Sequence, residues 1–183
     1  GNHEINLLRE DAKDGSGWFF EARVERDHEK CAPFQRPTLQ QRQEIVAFLS
    51  TLPIALERQD LRVVHAAWQE AQIEAVRRLP EGSVRDEYDR WEQVAQQQAR
   101  ESALQERMEQ ELEKWAHGLE NSQRQPPFLH AHAEFEANKQ MLNPLKVLTS
   151  GVEQGGAAPF FSGGKWRFAE RMPWWDAYTD STP

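Results

Sequence analysis

The stretch from Asp86 to Glu120 constrains the fold more than any other part of the chain. Its apolar side chains recur mostly at spacings of three and four residues, which predicts one long or two shorter amphipathic helices. These positions are Tyr88, Trp91, Ala95, Ala99, Leu104, Met108, Leu112, Trp115 and Leu119. With ten acidic and four basic residues, the stretch accounts for −6 of the chain's net charge of −8. We interpret it as an inserted helical segment with a solvated acidic face; a cap over a site and a partner-binding arm are the alternatives.

Before this stretch, local signals predict a helix, a hairpin and a second helix. Thr38 and Gln41 form a capping box directly after Pro37, and the helix that follows should end at Pro53. Its predicted apolar face consists of Ile45, Val46, Phe48, Leu49 and Leu52. Predicted elements then follow in this order: a strand at 54–56, a turn at 58–60, a returning strand at 61–64 and a short helix at 71–79.

The last third of the chain is less regular. Val147 to Thr149 suggest a short strand. In a strand, His130 and His132 would share one face as metal ligands do, but no carboxylate or cysteine accompanies them at metal-ligand spacing. The glycine pairs at 155–156 and 163–164 bracket an aromatic-tipped hairpin or loop. The aromatic residues at the end are either core or a platform for stacking a nucleobase: Trp166, Phe168, Trp174, Trp175 and Tyr178.

Composition limits the class of protein. A hydrophobic fraction of 38% and a charged fraction of 28% over 183 residues indicate one globular domain spanning 1–183. No apolar run is long enough to cross a membrane. Cys31 is the single cysteine, which excludes an internal disulfide and fits a cytoplasmic location. A net charge of −8 without a basic stripe argues against nucleic acid as a partner.

Two short stretches suggest chemistry rather than packing. The chain opens with Gly1-Asn2-His3-Glu4, and the apolar strand at 61–64 delivers His65, followed by Ala66-Ala67-Trp68. Together they resemble two signatures of the calcineurin-like metallophosphoesterases, in the branch of serine/threonine phosphoprotein phosphatases and bacterial diadenosine tetraphosphatase-like proteins. The first stretch matches that branch letter for letter, and the second is similar to its bacterial His-Ala variant.

The resemblance implies a role for each residue. Asn2 and His65 would be ligands to two divalent metal ions, Mn²⁺ by preference and Fe or Zn otherwise. His3 would donate a proton to the leaving group, and Glu4 would be an orienting group behind the ligands. Lys146 would meet a substrate phosphate or be a surface lysine, and Trp68 would wall the site or serve packing.

The resemblance also implies a fold and a reaction. The fold class is α/β, or α+β within these residues: part of a metallophosphoesterase β-sandwich flanked by helices, with 86–120 as a helical insertion or cap. The reaction is hydrolysis of a phosphoester or phosphoanhydride by metal-bound hydroxide. Its substrate would be a phosphorylated small molecule, a dinucleoside polyphosphate or a phosphoprotein.

The chain lacks several signatures of the family. The Gly-Asp-x-His-Gly and Gly-Asp-x-x-Asp-Arg-Gly motifs and the late histidine are not present, so we expect an internal fragment that is inactive by itself. A non-catalytic, helix-rich interaction module is the alternative function.

Overall fold

The computed structural model describes residues 1–31 and 33–173. Within these residues the chain forms eight α-helices, a 3₁₀ turn at Glu21–Arg23 and two separate two-stranded antiparallel sheets. The helices are α1 (Asn2–Leu8), α2 (Val24–Lys30), α3 (Leu39–Ser50), α4 (Glu70–Val76), α5 (Val84–Glu101), α6 (Leu104–Trp115), α7 (His130–Met141) and α8 (Pro144–Ser150). The strands are β1 (Ala55–Arg58), β2 (Leu61–Val64), β3 (Glu153–Ser162) and β4 (Lys165–Arg171). The fold is therefore α+β.

Helix α3 begins where the sequence predicts. The Thr38 hydroxyl accepts a hydrogen bond from the Gln41 backbone N–H at 3.2 Å, and the Gln41 side chain accepts one from the Thr38 backbone N–H at 2.8 Å. The capping box is confirmed. Only part of the predicted apolar face is covered: Phe48 is 63% exposed and Leu52 is 39% exposed, whereas Ile45, Val46 and Leu49 are half-buried. Helix α3 contacts α1.

The hairpin and the helices that follow it are also confirmed, with ends that differ from the prediction by at most five residues. Strands β1 and β2 pair from Ala55 with Val64 to Arg58 with Leu61, which leaves a two-residue turn. The periodic stretch forms two helices rather than one, because Ala103 adopts a left-handed backbone conformation with φ of 54° between α5 and α6. Helix α6 packs on α7, so this stretch belongs to the body of the fold.

The predicted strand at 147–149 is wrong, and the segment with His130 and His132 is not a strand either, because both segments are helical. Residues 147–149 lie in α8, where Asn143 caps the helix through its side-chain oxygen and Pro144 occupies the first turn. Asn-Pro at this position is a helix-start signal that outweighs the strand preference of valine and threonine. His130 and His132 lie at the start of α7, where residues two apart do not share a face.

Helix α8 lies at the centre of the core. Leu145 and Leu148 are fully buried. Leu145 packs against Ile5 of α1 and Tyr88 of α5, whereas Leu148 packs against Trp68 just before α4. Burying each leucine contributes roughly 1.5–3 kcal/mol. Helix α8 therefore joins the N-terminal helix to the segment that follows β2.

The second part of the core joins α7 to the β3–β4 hairpin, which turns at residues 163–164. Phe160 and Phe161, predicted at the tip of a hairpin or loop, lie instead within β3 together with Gly155 and Gly156. Trp166 and Phe168 of β4 pack against Leu129 and Ala133, and Phe168 is fully buried. These two aromatic residues are core, while Trp174, Trp175 and Tyr178 lie outside the described residues. Within the described ranges, every helix is too short or too polar to span a lipid bilayer.

Candidate active site

His65 follows β2 directly and is held by the backbone after it. The Ala66 N–H donates to the carbonyl oxygen of Leu148 at 3.0 Å, and Ala67 and Trp68 are buried. The imidazole of His65 itself is exposed. The histidine thus lies at the end of the β1–β2 hairpin, and the hydrogen bond to α8 fixes the backbone that follows it.

The ring of His65 lies against the backbone of Gly1. A Cβ atom placed on Gly1 would lie 2.5 Å from Cε1 of the imidazole and 2.7 Å from each ring nitrogen. Such distances are too short for any side chain, so glycine is required at position 1 for this approach. The structure therefore brings the first residues of the chain and His65 together, although they lie far apart in the sequence.

Glu4 belongs to the same cluster. Its carboxylate lies 2.7 Å from the nitrogen of Gly1, the residue whose backbone the imidazole of His65 approaches.

Asn2 and His3 line a shallow surface depression of about 500 Å³. Lys13, Arg23 and the Gly163 turn of the β3–β4 hairpin lie at the same depression. His3 is exposed, as a group that exchanges protons with a ligand must be. Asp14 also lines the depression and pairs with Arg23, and Lys13 pairs with Asp11 at 2.9 Å, so both cations at the rim already have acidic partners.

Arg23 is positioned by a buried carboxylate, Asp27, which no sequence pattern identified. Asp27 is 1% exposed, accepts from the Gly17 N–H at 2.6 Å and contacts the Arg23 guanidinium at 3.4 Å. Burial alone would raise the pKa of Asp27, but hydrogen bonds from the Gly15 and Gly17 N–H groups and the charge of Arg23 outweigh it and lower that pKa. The polar sequence at 27–30 resembles a solvated surface, so no local pattern marks Asp27 as buried.

Trp68 and Lys146 have structural partners of their own. Trp68 is 4% exposed, and its indole N–H donates to Glu70 at 3.1 Å. The Lys146 ammonium pairs with Glu92 at 2.7 Å and lies 5.8 Å from the centre of the Tyr88 ring. Burial lowers the pKa of Lys146, whereas Glu92 opposes the shift. For both residues a role in substrate binding stays a prediction.

The structure does not gather further metal ligands around His65. Among residues 1–31 and 33–173, no group of three or more His, Cys, Asp or Glu side chains is arranged to hold a metal ion. His132 is instead packed edge-on against Phe168, with its Nε2 atom 3.7 Å from Glu136. Asn2 and His65 remain the two candidate donors.

Comparison with known proteins adds no relative. No protein-family model, curated protein or solved structure matches the chain.

Proposed function

We propose that the protein is a metal-dependent phosphoesterase of the calcineurin-like class, in which these residues form part of the β-sandwich and its flanking helices. The main support is the contact between Gly1 and His65. A catalytic centre built from both stretches requires them to be neighbours.

In this proposal Asn2 and His65 hold divalent cations, Mn²⁺ in the first instance. A carboxamide oxygen and an imidazole nitrogen suit such a borderline cation, and the bare backbone of Gly1 leaves room beside the imidazole. When bound, a pair of cations would polarise the phosphoryl group and lower the pKa of water. Glu4 would keep the imidazole of His65 in its orientation.

His3 would donate a proton to the departing oxygen of the phosphoester or phosphoanhydride. Its exposure supports this role, because a group that protonates a leaving oxygen must reach the substrate. Candidate substrates are a dinucleoside polyphosphate and a phosphoprotein. Cations bound at the site would offset the chain's net charge of −8.

The test uses the complete protein as its gene encodes it and measures hydrolysis of p-nitrophenyl phosphate with and without Mn²⁺. We expect His3→Ala to lower kcat by roughly 10²–10⁴-fold, the usual contribution of a general acid. His65→Ala should raise the Mn²⁺ concentration needed for activity. His117→Ala removes a histidine outside the site and is the matched control.

Equal rates for wild type and His3→Ala would remove His3 from the mechanism, and activity that is independent of Mn²⁺ would refute the class. If activity is present, diadenosine tetraphosphate and a phosphopeptide compared side by side would identify the substrate class.

A non-catalytic interaction module is the second candidate, and one observation favours it. Apolar side chains of α3 and of the β1–β2 hairpin are exposed, namely Leu39, Phe48, Leu52, Leu56, Leu61 and Val63. Exposed apolar side chains on neighbouring elements are typical of surfaces that contact another layer or another protein. Absence of Mn²⁺-dependent hydrolysis in the complete protein would favour this candidate.

A further inference from the structure

A single oxygen atom of Glu70 links the two sides of His65. The indole N–H of Trp68 donates to Oε1 of Glu70 at 3.1 Å, and the Arg62 guanidinium pairs with the same oxygen at 3.0 Å. Arg62 precedes His65 by three residues, and Trp68 follows it by three. Glu70, at the start of α4, therefore holds together the two ends of the segment that carries the histidine.

Arg62 is fixed by further contacts. Its guanidinium carbon lies 5.0 Å from the centre of the Trp68 ring, a distance at which an aromatic face attracts a cation. Its Nε atom donates to Glu57 at 3.0 Å, and these two residues are partners across the β1–β2 hairpin. The planar guanidinium thus contacts two carboxylates and a ring at once, which the ammonium group of a lysine could not reproduce.

Trp68 provides the anchor for this arrangement. Its side chain is 4% exposed and belongs to the buried core. Strand β2 has no such anchor on its outward face, where Leu61 and Val63 are 48% and 46% exposed. Glu70 therefore connects the strand that precedes His65 to a side chain that the core holds in place.

We infer that Glu70 is a positioning residue for His65, acting through Arg62 and Trp68. The imidazole is exposed, so its direction depends on the backbone from which it projects. Loss of the link would let this backbone and the ring sample more orientations. A metal ion would then bind less tightly, because more conformational freedom is lost on binding. The effect on metal binding rests on the proposed function, whereas the effect on the imidazole does not.

The test compares Glu70→Ala with wild type in the complete protein. With EDTA present, the ring-proton NMR resonances of His65 and the indole N–H resonance of Trp68 should both shift, because the link between them is lost. In hydrolysis of p-nitrophenyl phosphate, the Mn²⁺ concentration at half-maximal rate should rise about tenfold, the lower end of the effect of residues behind metal ligands. KM for p-nitrophenyl phosphate should stay within about twofold of wild type, since a positioning residue makes no contact with the substrate.

Glu74→Ala is the matched control, one turn further along α4. The Glu74 side chain is 59% exposed, against 65% for Glu70, and it likewise pairs with arginines, Arg77 and Arg78. Loss of a surface ion pair should therefore change the melting temperature of both variants similarly, but only Glu70→Ala should shift the His65 resonances. Glu70→Gln keeps an acceptor oxygen for the indole N–H and should restore the Mn²⁺ dependence to within about threefold of wild type.

Circular dichroism checks the fold of each variant. Should Glu70→Ala unfold, Arg62→Met replaces it, since methionine keeps an apolar contact with Trp68 and removes the other end of the link. Unchanged His65 resonances in Glu70→Ala, or a shift of equal size in Glu74→Ala, would overturn the inference whatever the activity. An unchanged Mn²⁺ dependence of Glu70→Ala, measured against an active wild type, would also overturn it and leave the phosphoesterase proposal standing. A shift confined to Glu70→Ala in a protein without Mn²⁺-dependent hydrolysis would refute the phosphoesterase proposal and support Glu70 as the residue that positions His65.

Discussion

Replacing Glu136 with glutamine should destabilise the fold. The carboxylate is 15% exposed and connects α7 to β4. It accepts from the backbone N–H groups of Phe168 at 3.2 Å and Ala169 at 3.3 Å, and from the Arg167 guanidinium at 3.2 Å. Glutamine keeps the shape but loses the charge, and its amide group would face a donor.

The pKa of Glu136 gives the size of the expected loss in the free energy of unfolding. Burial alone would raise this pKa, but His132, the Phe168 N–H and Arg167 outweigh burial and hold it at about 2, against an ordinary value of 4.5. A difference of this size corresponds to about 3 kcal/mol of stability near neutral pH. The folded-state pKa is the lower one, so this stabilisation is present above about pH 4.5 and is lost as the pH falls towards 2.

Urea unfolding of wild type and Glu136→Gln measures the effect. The free energies of unfolding should differ by about 3 kcal/mol near pH 7 and by only about 2 kcal/mol near pH 3.5. Glu134→Gln is the control on the same helix, since its carboxylate is 47% exposed and pairs with Arg107 on the surface. A difference between wild type and Glu136→Gln that stays constant from pH 7 to pH 3.5 would refute the reasoning.

Three further changes test the positions that organise the fold and the site. Asn143→Ala should lower the free energy of unfolding by about 2–4 kcal/mol, because it removes a fully buried side chain that caps α8 and donates a hydrogen bond to α5. Urea unfolding would measure this loss, and a loss below about 1 kcal/mol would contradict the role of the cap. Thr38→Ala should lower the free energy of unfolding by only about 1 kcal/mol, since that capping box is exposed; a loss as large as that of Asn143→Ala would be inconsistent with this exposure. Gly1→Ala should displace the imidazole of His65 and shift its ring-proton NMR resonances, whereas the control Gly155→Ala, whose Cβ would meet Ala133 at 3.8 Å, should leave these resonances in place. Unchanged His65 resonances in Gly1→Ala would argue against the contact between Gly1 and His65.

The sequence alone predicts the elements whose signals are local. The Thr38 capping box, the two-residue turn between β1 and β2 and the helical period of residues 84–115 each depend on residues within a few positions of one another. The alternation of cations and aromatic residues in β4 is equally local and could have been recognised as a two-faced strand. Such patterns survive because each is set by the backbone geometry of one element.

The tertiary structure decides how these elements meet. Residues 147–149 have strand-forming side chains, yet the Asn143 cap and full burial of Leu145 and Leu148 make the segment a helix. That helix holds the end of β2 near α1, and the imidazole of His65 can then lie against Gly1. Contacts between residues so distant in the chain arise from packing around a shared core, and packing leaves no period in the sequence.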